Sequence, residues 1–343
     1  MSNVLVIGTS KYTRGGITAV IKAQKTGSQW NKYNCKWIGY HVDRAGWIKV
    51  LYYCIAFVRY CLSLPFFQIV HLHFSMPTDA KRAYYFFKIA KLLGKKTIVH
   101  LHCGDQLPEI WSPRYEELFT RCDLALVLSP SIKRKVEEYI GSGHRIEVLY
   151  NPCPTINKIT PYPKREKEIL YAGTLNFNKG YADLIKAFSI VAKKHPEWKV
   201  VFAGHGEIQE ARELAKDLGV DSQCNFLGWI SGEQKDAAFR RASILCLASY
   251  QEGFPMAVLD AWAYGVPVVS TTAGGLIDII IEGQNGLLFE AGNVEQLSKK
   301  LEIILSDSEL RTRIASESRV LAYTTFNIVN LNHQLGELYE SLS

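Results

Sequence analysis

Glu252 stands before a Gly-Phe-Pro corner, and Asp260 follows eight positions later, within SYQEGFPMAVLDAWAYGVPVVS (249–270). Pro255 suits the first turn of a helix, where no backbone donor is needed, and Gly265 suits its end, so a helix is expected from about Pro255 to Tyr264. The free N–H groups of Met256, Ala257 and Val258 would face the carboxyl edge of a sheet, and such an end binds phosphate. Glu252 before that anion site and Asp260 further along the helix can hold neutral hydroxyls on either side of a bound diphosphate. A nucleoside diphosphate sugar offers those hydroxyls, on its hexose and its ribose.

Other chemistries find less footing. The eight cysteines, Cys35, Cys54, Cys61, Cys103, Cys122, Cys153, Cys224 and Cys246, form no C-x-x-C pair and share no histidine spacing suited to zinc, so buried thiols are expected. The loop GTSKYTRGG (8–16) is not the G-x-G-x-x-G of dinucleotide enzymes and gives no support for a nicotinamide cofactor. No Asp-x-Asp is present for a divalent cation, so neither a metal nor another cofactor is expected. No DNA- or RNA-binding module is recognisable, which argues against nucleic acid as a partner.

The elements that must position these residues recur in two halves. NVLVIGTSKYTRGGITAVIKA (3–23) and EILYAGTLNFNKGYADLIKAF (168–188) each run apolar strand, Gly-containing loop, amphipathic helix. Further apolar runs follow the first opening at 69–74, 97–102, 124–128 and 146–149, and the second at 198–204, 224–228, 243–248, 266–270 and 286–289. Near-continuous apolar strands alternating with helices, such as 79–93, signal parallel sheets covered on both faces. The expected fold class is therefore α/β, with two Rossmann-like doubly wound domains over 1–155 and 165–325, facing across a cleft. The Pro- and charge-rich stretch 151–168 reads as the linker, and the cleft is the default place for a site.

At 343 residues and 48% hydrophobic composition the chain is long enough for two cores. Its opening, MSNVLVIGTS, lacks the basic segment and cleavage site of a secretory signal, so a cytoplasmic location is expected. Charge is uneven: residues 1–150 hold 21 Lys and Arg against 10 Asp and Glu, a net +11, and the remainder holds 19 against 23, a net −4. The basic half should meet something anionic.

The series GTLNFNKG (173–180), VFAGHGE (201–207), FLGWI (226–230), EGFPMAVLDAWAYGVPVV (252–269), AGGLIDII (273–280) and NGLLF (285–289) resembles, in order and spacing, the C-terminal domain of family-4 retaining glycosyltransferases of the GT-B fold. RGGI (14–17), HLHCGD (100–105) and the closing stretch FNIVNLNHQLGELY (326–339) resemble the same family. The resemblance implies a C-terminal helix, about 326–343, that packs back on the first domain.

It also implies roles. Glu252 takes the place of the acid that contacts the donor hexose, and Phe254, Pro255, Met256 and Ala257 bring backbone groups to sugar and phosphate. Asp260 occupies the position of a second acid, usually Glu, that binds ribose. Lys179 matches the lysine that neutralises the leaving diphosphate, a role suited to a compact cation. Gly173 and Gly204 flank the donor, and Thr174 stands where an Arg is usual, leaving Arg14 or Arg241 as candidate substitutes. Gly15 and Gly16 resemble a loop whose backbone approaches the phosphates, while Trp229 and Ile230 would present main-chain groups to the base. His102 matches a histidine near the reacting carbon, read as an orienting hydrogen bonder; His71, His73 and His100 are expected to be satisfied structural histidines.

The activity so implied is transfer of a hexose from a UDP- or GDP-sugar, with retention, to a glycan or lipid-linked oligosaccharide in capsule, O-antigen or exopolysaccharide assembly. A nucleotide-sugar 2-epimerase or a non-catalytic sugar-nucleotide-binding protein remains the alternative. The stretch GWIKVLYYCIAFVRYCLSLPFF (46–67) is apolar but interrupted by Lys49, Arg59 and Pro65. With the basic helix at 81–96 it reads as a surface that docks on the anionic inner face of the cell membrane rather than one that spans it.

Overall fold

The computed structural model describes residues 2–156 and 159–343; Met1 and, within the expected linker, Asn157 and Lys158 lie outside the described residues. The chain divides into two compact units, Met1–Pro152 with Ile328–Ser343, and Cys153–Asn327.

The first unit is built on β1 (Val4–Thr9), β2 (Lys36–His41), β3 (Ile69–Phe74), β4 (Lys96–Leu101), β5 (Leu124–Val127) and β6 (Ile146–Val148). All pairs are parallel, in the order β2-β1-β3-β4-β5-β6. β2 was not among the expected strands: its apolar and polar residues alternate, as suits an edge strand with one covered face, instead of forming a continuous run. Val4, Val6, Ile69, Ile98, Leu124 and Leu126 of one sheet face pack with Ile17 and Ile21 of the Gly16–Gln24 helix and with Leu331, Leu335 and Tyr339 of the Ile328–Glu340 helix. The C-terminal helix is thus part of the first unit's own core.

The second unit carries β7 (Glu168–Ala172), β8 (Lys199–Ala203), β9 (Cys224–Gly228), β10 (Ile244–Leu247), β11 (Val268–Thr271) and β12 (Leu287–Phe289). Its parallel order, β12-β11-β10-β7-β8-β9, is that of a dinucleotide-fold sheet, with the order of strand addition reversing between β7 and β10. In such sheets ligands bind beside the carboxyl ends of the strands that flank the reversal.

One helix of the first unit departs from the buried norm. Gly46–Ser63, prolonged by one turn to Phe66, is by length and composition apolar enough to cross a membrane, yet only 22% of its most apolar window is buried. Trp47, Val50, Leu51, Val58, Leu62 and Phe66 are exposed. The expectation of uniformly buried thiols fails here: Cys54 and Cys61 are exposed because they share that outward face, whereas Cys103, Cys153 and Cys246 are buried.

Candidate active site

In the second unit the β7 and β10 loops meet at the reversal. Asn176 accepts a hydrogen bond from the Lys179 N–H at 3.0 Å and so caps a short turn. Gly180 then takes a left-handed conformation (φ 63°), and a Cβ there would fall 2.0 Å from the Ala248 carbonyl oxygen. The Tyr250 N–H donates to the Asn178 carbonyl at 2.8 Å, stitching one loop to the other. This brings Lys179 Nζ to 2.6 Å from Glu252 Oε1, with Lys179 partly exposed and Glu252 nearly buried. Two residues 73 positions apart become one ion pair.

The following helix spans Met256–Tyr264, with Pro255 as its N-cap and Gly265, left-handed at φ 65°, closing it. Val258 N–H already donates to the Pro255 carbonyl at 3.2 Å. Of the three N–H groups expected to be open, Met256 and Ala257 therefore remain for an incoming anion. Phe254 is buried and packs on Phe326 at a centroid distance of 5.3 Å, so only its backbone can serve the site.

Asp260 is buried and pairs with Lys235 Nζ at 2.6 Å, from the Glu233–Arg241 helix. Burial pushes its carboxyl above the usual range, against the pull of Lys235. No spacing in the sequence links positions 235 and 260, which lie on separate helices, and Lys235 was missed. Arg241 is no substitute phosphate cation: it pairs with Glu168 at 3.2 Å, at the amino end of β7 and so at the opposite edge of the sheet.

Gly173 and Gly204 follow β7 and β8, and a Cβ on Gly204 would meet the Gly173 carbonyl oxygen at 1.7 Å. Close approach of the two loops accounts for glycine at 204. Tyr171 Oη donates to the Thr174 carbonyl at 2.8 Å, fixing that turn. Trp229 and Ile230 follow β9 on the same carboxyl edge, with Trp229 edge-on to His205 at 5.4 Å.

In the first unit, Gly15 (φ 150°) caps the helix that Gly16 begins, and the space a Cβ would occupy at Gly15 is open. His102 follows β4. Its Nε2 lies 2.9 Å from His73 Nδ1, while His71 shares hydrogen bonds with Tyr339 Oη (2.8 Å) and His100 Nδ1 (3.2 Å). Strand register brings His73 opposite His100, so two His-x-His segments on adjacent strands face one side together. Burial pushes His71 down to about 3 and His73 and His100 well below their usual value. It lowers His102 too, a residue less buried than the other three. The expectation of satisfied histidines holds for His71 alone among the three, since His73 Nε2 and His100 Nε2 are buried without partners. Ligating nitrogens of His71, His73 and His100 lie within 4.8 Å of one another, close enough to close on a metal ion if His71 gave up a hydrogen bond.

The family model for glycosyl transferases group 1 matches residues 154–320. An uncharacterized glycosyltransferase of Haemophilus influenzae is 30% identical over 59% of this chain and 57% of its own length. The GalNAc-α-(1→4)-GalNAc-α-(1→3)-diNAcBac-PP-undecaprenol α-1,4-N-acetyl-D-galactosaminyltransferase of Campylobacter jejuni is 31% identical over 67% of this chain and 65% of its own. The chain thus spans somewhat under two thirds of the length of these relatives. Anabaena HepE, solved with UDP-glucose, superposes with a TM-score of 0.78 over 99% of this chain and 100% of its own at 19% identity, a likeness of fold. The fold is GT-B, and residues 154–320, nearly the whole second unit, are the part that matches the glycosyl transferases group 1 family model.

Proposed function

We propose that the protein is a family-4, retaining, metal-independent hexosyltransferase that uses a UDP- or GDP-sugar. The supporting observation is the Lys179–Glu252 pair beside the open N–H groups of Met256 and Ala257, on the loops flanking the strand reversal. On this reading Lys179 and the helix end meet the diphosphate, whose negative charge grows as the anomeric carbon–oxygen bond breaks. Glu252 accepts a hydrogen bond from a hexose hydroxyl. Asp260, one methylene shorter than Glu, reaches the ribose with Lys235 holding its carboxylate in place. The acceptor oxygen bonds to the anomeric carbon on the face the diphosphate leaves, and its proton passes to a departing phosphate oxygen, so configuration is retained. His102, with Nε2 engaged by His73, has Nδ1 left to orient the sugar.

The acceptor in this proposal is a glycan or lipid-linked oligosaccharide of capsule, O-antigen or exopolysaccharide assembly, at the cytoplasmic face of the membrane. The basic first unit and its exposed apolar helix support that choice, as does the undecaprenol-linked substrate in the name of the Campylobacter relative. Melting with UDP, GDP and ADP tests the donor site. A nucleotide at a hundredfold excess over its dissociation constant adds about 2.7 kcal/mol, and no shift with any nucleotide sinks the reading. Product anomeric configuration by NMR, with turnover unchanged by chelator, separates a retaining transferase from an epimerase or a mere binder.

A further inference from the structure

A cavity of about 590 Å³ lies in the first unit along the free edge of β2, within the size range of ligand sites. Its wall carries four cations, Lys11, Lys25, Lys36 and Arg59, and no carboxylate. Among the described residues none of the four is in an ion pair, whereas Lys32, Lys88, Lys91 and Lys96 of the same unit are each matched to an acid. Like charges gathered round one concavity repel; water and salt screen these exposed side chains in part, and an anion inside the concavity turns the remaining repulsion into attraction. The remaining wall is mostly aromatic, with Cys35 and Gly39. Trp30, Trp37 and Tyr52 line it, and the Trp37 indole N–H is buried without an acceptor, a donor that a phosphoryl oxygen would satisfy. Lys36 Nζ is steadied by Ser63 Oγ at 2.9 Å, and Tyr52 Oη by Ser10 Oγ at 3.1 Å.

The cavity adjoins the exposed apolar helix. Tyr52 and Arg59, two turns apart, fall on one line of the Gly46–Ser63 helix, between its buried line (Ala56, Tyr60, Ser63) and its exposed face (Val50, Leu51, Val58). An anion held against Arg59 is therefore flanked by a surface suited to acyl or prenyl chains.

We infer that this cavity binds the phosphate-bearing headgroup of a membrane lipid, with the apolar face of the Gly46–Ser63 helix seated among the chains. The lipid as the source of the phosphate rests on the membrane reading above; the anion site itself does not.

The test uses the full chain with vesicles of phosphatidylcholine, alone or mixed with phosphatidylglycerol, reading sedimentation and tryptophan emission, after melting curves show each variant folded. The protein should bind mixed vesicles only; with Trp47, exposed on the membrane-facing helix, first changed to Phe, the emission change that remains should be removed by Trp37→Phe. Lys36→Gln with Arg59→Gln should weaken binding roughly thirtyfold, at about 1 kcal/mol per cation. Lys22→Gln with Lys81→Gln, cations outside the cavity, should cost far less. Equal losses in the two pairs would mean a diffuse basic surface and overturn the site. If Val50→Glu with Val58→Glu abolishes vesicle binding while the Lys36/Arg59 pair leaves it intact, the membrane reading stands and the cavity falls. Should vesicles fail but inorganic pyrophosphate quench emission through Trp37, the lipid source is overturned. Silence from both ligands overturns the cavity altogether, while the nucleotide melting shift independently reports the donor reading.

Discussion

Each unit is built on its own six-stranded parallel sheet, but the two furnish the carboxyl edge with opposite chemistry. In the second unit, loops and helices bring cations to acids, Lys179 to Glu252 and Lys235 to Asp260, each at 2.6 Å. In the first, strands β3 and β4 bring together imidazoles that burial keeps neutral. Charged groups tolerate desolvation best when paired and near an opening, and on the proposed function those are the groups that answer the charge of a departing diphosphate. Neutral rings hydrogen-bonded in series fix geometry without such a cost.

The comparison can be broken most directly at the charged edge. Lys179→Ala should lower kcat on the order of a hundred- to thousandfold. The double variant with Glu252→Ala should lose less than the two single losses multiplied, because the partners act as a pair; fully additive losses would separate their roles. Gly180→Ala, forced into a left-handed backbone against the Ala248 carbonyl, should cost about 3 kcal/mol of stability, read as a lower Tm. An unchanged Tm would mean that the loop carrying Lys179 does not need its observed shape.

The neutral edge is tested by acid. His71 has a folded-state pKa of about 3 against an ordinary 6.5, so below 6.5 the unfolded chain binds the extra proton. Its contribution is fully present above that value and is lost as pH falls towards about 3, by up to about 1.4 kcal/mol per pH unit. Tm should drop between neutral pH and pH about 5, and His71→Gln should make the slope shallower by the share of one of the four lowered histidines; an equally steep variant would place the acid sensitivity elsewhere. The smallest expected effect is at Lys235: Lys235→Met should raise the donor KM about tenfold with kcat less changed. A fall in kcat alone would move Lys235 from positioning Asp260 to the reaction itself.

Much of this was legible in residue order. Apolar runs marked eleven of the strands, because parallel strands covered on both faces have no polar alternation to hide them; β2, an alternating edge strand, escaped for that reason. Pro255 and Gly265 bounded the helix after Glu252 to within a residue, since capping is local backbone chemistry. The register of Val258 back onto Pro255, which removes one of three open donors, was not legible.

The sequence by itself determined two α/β halves, a helix N-terminus behind Glu252 and a strongly basic first half, all properties of neighbours in the chain or of composition. Only the tertiary structure decided that Lys179 faces Glu252 across 73 residues, that Lys235 pairs with Asp260 while Arg241 pairs with Glu168, that four histidines share one sheet face, and that four cations without an ion pair ring a cavity at β2. Those pairings depend on strand order and register, which are set by the burial of whole sheets and leave no local mark on the residues they bring together.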